Sequence, residues 1–366
     1  MSKVLIIGGG IIGLSIARSL SKKGIKRITI LERGEVGKEA SHAAAGMLAP
    51  HAEAEKLDDF FNLCSESLSL YPQFSDELFD ETGINIELDK SGTLYLAFTE
   101  NDSSEINKRY AWQKQNGLKV EHLSAQEVRK LEPFVSPDVR EGLFFPNDWQ
   151  VENRKLVAAL HKFCELNNVE IIENAEVTNL SKNFAETADK KYDFDIVILA
   201  NGAWLSLIKT NDFVLPNVRP IRGQMISFKT AKRVFSKVIY SPRGYIVPRK
   251  NGKIIAGASV EDVGFDKRTS DFEIEKIMEN TFEISPSLSN LSVSEKWSGL
   301  RPCSFDNLPI LGELSDSILI AAAHYRNGIL LAPKTAELIA ETIAGGTISN
   351  YFRTFNPNRF LLKTNA

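Results

Sequence analysis

Few backbones satisfy residues 3–32. Lys3–Ile7 is a short apolar strand, Gly8-Gly9-Gly10-Ile11-Ile12-Gly13 a glycine-rich turn, Ile11–Lys23 an amphipathic helix, and Ile28–Leu31 a second strand ending at Glu32. In such a unit the first glycine makes the tight turn. The second lets backbone approach a pyrophosphate, and the third lets helix and strand pack closely. Here these are Gly8, Gly10 and Gly13. The helix start at Ile11 and Ile12 offers free N–H groups and a positive dipole end to phosphates. Glu32 lies nineteen residues after Gly13, where a carboxylate accepts hydrogen bonds from ribose hydroxyls and disfavours a 2′-phosphate. A GxGxxG turn alone is weak evidence. Strand, glycines, helix, strand and acid in this order predict a dinucleotide site, FAD or NAD.

At 366 residues the chain exceeds what one hydrophobic core usually serves, so two domains or one elaborate domain are expected. A net charge of −3 gives no electrostatic case for nucleic acid or an anionic membrane. Cys64, Cys164 and Cys303 lack metal-type spacing, and the five histidines show no ligand pairing. This argues against a metal site or a disulfide framework and suits a reducing cytoplasm. No apolar run approaches the roughly 18 residues that a membrane span needs, so a soluble cytoplasmic protein is expected.

After Glu32, the small residues of Ser41–Pro50 read either as a tightly packed loop or as backbone reaching a cofactor. Asp58–Asp80 has a helical apolar period, Glu87–Phe98 a strand pattern broken at Ser91-Gly92, and Ser103–Gln115 a helical one. Ser124 and Glu127 form a capping box for the next helix. Gly142–Phe145, Val169–Ile172 and Val177–Leu180 read as strands, and Lys155–Asn167 as a helix. Asp195–Ala200 is the continuous apolar strand of a parallel sheet buried on both faces, ending in the turn Asn201-Gly202-Ala203-Trp204. From Pro216 to Trp297 the texture is β, including Gln224–Phe228, Tyr245–Val247 and Ile254–Ala258, with one helix near Phe272–Phe282. Ile318–Ala323 is another buried strand, and a closing helix is expected at Pro333–Ala344 with the proline in its first turn. The predicted architecture is α/β: a Rossmann-like parallel-sheet domain interleaved with a β-rich α+β substrate domain. The expected borders are 1–84, 145–215 and 298–366 for the first, 85–144 and 216–297 for the second.

The fingerprint, Ser41–Pro50, Leu199–Trp204, Tyr245-Ile246-Val247-Pro248-Arg249-Lys250, Gly299-Leu300-Arg301-Pro302 and His324–Pro333 together resemble the D-amino-acid oxidase superfamily of FAD-dependent amine oxidoreductases. The similarity runs essentially end to end and is strongest to the glycine-oxidase branch, which serves bacterial thiamine biosynthesis. It implies non-covalent FAD rather than NAD. It also implies that Ile11, Ile12, Glu32 and Arg33 touch the ADP part, with Val177 near the adenine. Gly202 would also contact the cofactor. Ala40, Ser41, Ala45, Gly46 and Met47 would line the pyrophosphate-to-flavin stretch. His324, Tyr325, Arg326, Asn327, Gly328, Ile329 and Leu330 would lie along the isoalloxazine, their amides supporting the negative charge of the reduced ring. His42 departs from the small hydroxyl residue that relatives usually carry. Cys303 is placed near a position where some relatives link FAD covalently, although the most similar branch does not.

On the substrate side, the resemblance makes Arg301 the carboxylate anchor, because a guanidinium offers two parallel donors that lysine lacks. Tyr245 matches a pocket tyrosine able to reach the same carboxylate. Arg326 is read either as a second substrate contact or as a brace for the cofactor. No side-chain base is assigned: if the neutral amine is the reacting form, its lone pair would push the α-hydride to flavin N5, and His324, His51 and Glu53 are read as structural. The implied reaction deaminates glycine, sarcosine or small D-amino acids with oxygen as acceptor and hydrogen peroxide as product. Electron delivery to a quinone or carrier, a nicotinamide dehydrogenase and a non-catalytic FAD-binding subunit are the alternatives. The oligomeric state is open.

Overall fold

Lys3–Ile7 lies inside a six-stranded sheet of order Ile310–Ser315, Ile318–Ala322, Ile196–Leu199, Lys3–Ile7, Arg27–Leu31, Glu170–Ile172. This computed structural model describes residues 2–345 and 348–363. All neighbours in the sheet are parallel except Ile310–Ser315 against Ile318–Ala322. Alternation along the first strand sends Val4 and Ile6 to one face and Leu5 and Ile7 to the other, and both faces are buried. Val4 and Ile6 join a core with the helices Ile11–Lys22, Asp59–Thr82, Asn153–Leu166 and Gly328–Ile343. Leu5 and Ile7 pack with Leu180 and Ala185 of a small four-stranded sheet. The fingerprint geometry depends on two glycines: Gly8 has φ +111°, and a Cβ on Gly13 would lie 1.9 Å from the Gly8 carbonyl oxygen.

The second sheet has eight strands in the order Glu295–Cys303, Arg219–Lys229, Lys253–Gly257, Gly244–Pro248, Val238–Ser241, Thr93–Ala97, Glu141–Phe145, Glu121–Ser124. Ile226, Phe228, Ile246 and Ile254 form a core with Ile274 and Ile277 of the helix Asp271–Ile284. The intervening positions Met225 and Tyr245 face a cavity instead. The expected borders at 144/145 and 297/298 fall inside the strands Glu141–Phe145 and Glu295–Cys303, each of which belongs to this sheet as a unit.

Several elements differ in extent from the sequence reading. The strand expected over 87–98 is confined to Thr93–Ala97, because Gly92 takes φ +90° and Glu87 has φ +55°. The expected strand Val177–Leu180 pairs only at Asn179–Leu180. The closing helix begins at Gly328, five residues before Pro333. A proline there cannot donate to the Ile329 carbonyl one turn earlier. The fully buried Tyr71 hydroxyl donates to that carbonyl instead, and Ser67 Oγ donates to the Leu330 carbonyl at 2.6 Å. A side chain from the neighbouring helix thus repairs the ladder. Tyr71→Phe is expected to leave the Ile329 oxygen buried and unpaired, lowering stability by about 1–3 kcal/mol in denaturant unfolding. An unchanged midpoint would show that the bond contributes nothing.

Candidate active site

A cavity of about 520 Å³ extends from the fingerprint turn to the inner face of the larger sheet. At one end it meets Gly8, Gly10, Ile11, Ile12 and Glu32, at the carboxyl ends of the parallel strands where such folds take their ligands. Glu32 Oε2 accepts from the Gly9 amide at 2.8 Å and Oε1 from the Gly34 amide at 3.0 Å. The carboxylate therefore braces the turn and keeps lone pairs for a further donor. Burial raises its pKa, opposed by those two amides. Ser41 Oγ accepts from the Ile11 amide at 2.9 Å, a capping role that spacing did not reveal. Arg33 lies 4.6 Å from the centre of the Trp204 ring, and both line the cavity with Val177 and Gly202.

The middle of the cavity is walled by Ala40, Ser41, Ala45, Gly46 and Met47 on one side. Met47–Leu48 pairs with Trp149–Gln150, and the Gly46 carbonyl accepts from the Val151 amide at 2.9 Å, so this wall is tied to a distant segment. His324, Tyr325, Arg326, Asn327, Gly328 and Ile329 supply another stretch of wall. Ala323 and Tyr325 take φ values of +54° and +48° and lead into the helix at Gly328, whose first residues Gly328 and Ile329 line the cavity at the end that carries the positive dipole. His324 is buried against Thr335 Oγ1 at 3.1 Å, and burial pushes its pKa down to about 3, so the ring is neutral and structural. Gly13 and Leu330 do not line the cavity. Gly13 serves helix–strand contact, and the Leu330 side chain is in the helical core.

At the far end Arg301 sits on Glu295–Cys303, opposite Ile221 of the neighbouring strand. Its guanidinium lies across Gly223, where a Cβ would be 2.2 Å from Nη2. Nη1 donates to the Ser259 carbonyl at 3.0 Å and to the Arg222 carbonyl at 3.4 Å. Among the described residues no carboxylate pairs with Arg301, and its Nε and Nη2 donate to no protein acceptor. A half-buried Tyr245 also lines this end, its ring stacked on Tyr240 with centroids 6.5 Å apart. Among the described residues its hydroxyl has only Met225 Sδ, at 3.7 Å, as a partner, and burial raises its pKa, so it stays protonated and can donate.

Arg326 differs from Arg301. Its Nη2 donates to Glu53 Oε1 at 2.7 Å and to Tyr240 Oη at 3.0 Å, so its charge is compensated within the wall. Glu53 and Tyr240 are site residues that sequence reasoning missed in this role. His51 is taken up by Asp148, Nδ1 to Oδ1 at 2.7 Å. Cys303 and His42 do not line the cavity; the Cys303 thiol donates to Asn307 Oδ1 at 3.0 Å, and burial raises its pKa.

An acid at one end, helix N-termini along the walls and, at the other end, a guanidinium with no acidic partner among the described residues fit a long flavin dinucleotide with a small anion beyond it. The sequence pattern of the family described as FAD dependent oxidoreductase matches residues 3–342. The chain belongs to the FAD-dependent oxidoreductase family. As an FAD-dependent oxidoreductase it is 32% identical over 362 residues to the glycine oxidase of Bacillus licheniformis, covering 97% of this chain and 96% of that one. It is 34% identical to the bifunctional protein ThiO/ThiG of Synechocystis sp., and spans all of this chain but only 55% of that protein's length. The crystal structure of glycine oxidase from Geobacillus kaustophilus superposes with a TM-score of 0.93 at 29% identity, covering 98% of each chain. An L-proline dehydrogenase from P. horikoshii, 21% identical with a TM-score of 0.85, shares the fold. No helix among the described residues is long and apolar enough to cross a membrane.

Proposed function

We propose that the protein oxidatively deaminates glycine and other small amines: glycine, oxygen and water give glyoxylate, ammonia and hydrogen peroxide. The observation that carries this reading is Arg301, a guanidinium pinned across Gly223 by the Ser259 carbonyl and without an acidic partner among the described residues. Its two unused donors suit a carboxylate, with the Tyr245 hydroxyl as a third donor. FAD, when bound, supplies the hydride acceptor at its N5. Arg301 and Tyr245 hold the carboxylate, and the amine reacts neutral, so alignment replaces a side-chain base. The residues from Gly8 to Ile329 assigned above to cofactor contact hold FAD non-covalently. The smaller sheet is the cofactor domain and the larger one the substrate domain. The chain acts in the cytoplasm, and the relation to ThiO/ThiG supports a place in thiamine thiazole synthesis.

Anaerobic mixing with glycine, sarcosine and D-alanine, followed by air, tests this directly. The flavin should bleach with each amine and recolour in air with release of peroxide. Colour that returns only with a quinone would replace oxygen by another acceptor. Acid precipitation should leave the yellow colour in solution, and colour retained in the pellet would refute non-covalent binding. D-Alanine should turn over well ahead of L-alanine, because anchoring the carboxylate turns the L-isomer's hydrogen away from the ring. Equal rates would remove Arg301 as the fixed point.

A further inference from the structure

A guanidinium that makes no salt bridge among the described residues lies behind the Ala45–Met47 wall. Arg249 is 4% exposed and directly follows the strand Gly244–Pro248. Its Nη1 donates to Gln150 Oε1 at 3.0 Å and to the Val151 carbonyl at 2.7 Å. Its Nη2 donates to the Ala45 carbonyl at 2.7 Å and to Asn153 Oδ1 at 3.1 Å. All four acceptors are neutral. Glu152, Glu87 and Asp89 attract it through space but none bonds it: Glu87 pairs with Lys155, Asp89 with Arg233, and Glu152 caps its helix through the Lys155 amide. The nearby cation Arg154 pairs with Glu295. Burial pushes the Arg249 pKa down to about 10, which leaves it cationic at neutral pH.

Buried charges are normally paired, because isolation in a low-dielectric interior is expensive. One solvated only by carbonyl and amide dipoles keeps a net positive field over its surroundings. The near surface of those surroundings is the cavity wall. A Cβ on Gly46 would stand 3.1 Å from Arg249 Nη2, and Ala45, Gly46 and Met47 all line the cavity.

We propose that Arg249 is a positioning residue that acts electrostatically: its charge behind Ala45–Met47, bonded directly only to neutral acceptors, favours the negative charge that FAD gains on reduction and so raises its potential. The inference rests on the proposed placement of the ring against this wall and not on the identity of the amine. A purely structural role would predict only that Arg249 ties Ala45 to residues 150–153. Charge and geometry can be separated.

The test is the two-electron potential of FAD-loaded protein, measured against a reference dye with no amine present. Arg249→Met should lower the stability of reduced relative to oxidised flavin at least tenfold, a fall of about 30 mV. Arg249→Lys keeps the charge without the four-way hydrogen bonding and should retain most of the wild-type potential. Gln150→Glu keeps side-chain length and places an anion on Nη1, so it should lower the potential in the same direction. That variant decides the matter if Arg249→Met does not fold. Equal falls in the Lys and Met variants, or an unmoved potential in Gln150→Glu, would overturn the proposal. A shifted potential in a protein that no amine reduces would sustain it while refuting the substrate reading.

Discussion

Arg301→Lys should lower kcat/KM for glycine by about 10- to 150-fold, the equivalent of roughly 1.5–3 kcal/mol for a charge-assisted hydrogen bond lost with the fork geometry. The loss should fall mainly on KM, and the bound FAD should be unchanged in amount and spectrum. Arg301 has no acidic partner to strand among the described residues and contacts only the Ser259 and Arg222 carbonyls, so stability should barely move. Steady-state kinetics together with flavin content check both halves. Unaltered kinetics would place the carboxylate elsewhere.

Gly223→Ala should do comparable damage without touching a charged residue. Its methyl group would sit 2.2 Å from Arg301 Nη2 and 2.3 Å from Cζ, so the guanidinium must leave its place over the strand. The obstacle is the far end of a flexible side chain, so the fold should survive while the anchor shifts. Misplacement on the ångström scale costs up to about 100-fold in a positioned reaction. If Gly223 acts through Arg301, the double variant with Arg301→Lys should be little worse than either single one. Additive losses would assign Gly223 a role of its own.

The parallel sheet was legible because its strands are buried on both faces and its turn needs glycine at fixed spacing. Most of the residues that line the cavity were named through motif and resemblance together. What escaped was whatever depends on partners distant in sequence. Nothing near Ser41 shows that its hydroxyl caps the helix thirty residues earlier. Sequence left Arg326 open between a substrate contact and a brace, and only the fold shows Glu53 and Tyr240 pairing it while Arg301 has no acidic partner among the described residues. Gly223 offered no turn signal, since its requirement comes from a side chain on the adjacent strand. Pro333 pulled the expected helix start five residues too late, because local rules place a proline at the beginning of a helix.

That proline also imposes an order on how this chain can change. With Pro333 in place, the Ile329 oxygen depends on the Tyr71 hydroxyl, and the two residues lie on different helices. A lineage that first replaces Pro333 regains a peptide N–H and can afterwards lose the hydroxyl freely. One that loses Tyr71 first must pass through an unpaired carbonyl at the helix whose opening turn borders the cavity. The same two substitutions are therefore permissive in one sequence of events and damaging in the other.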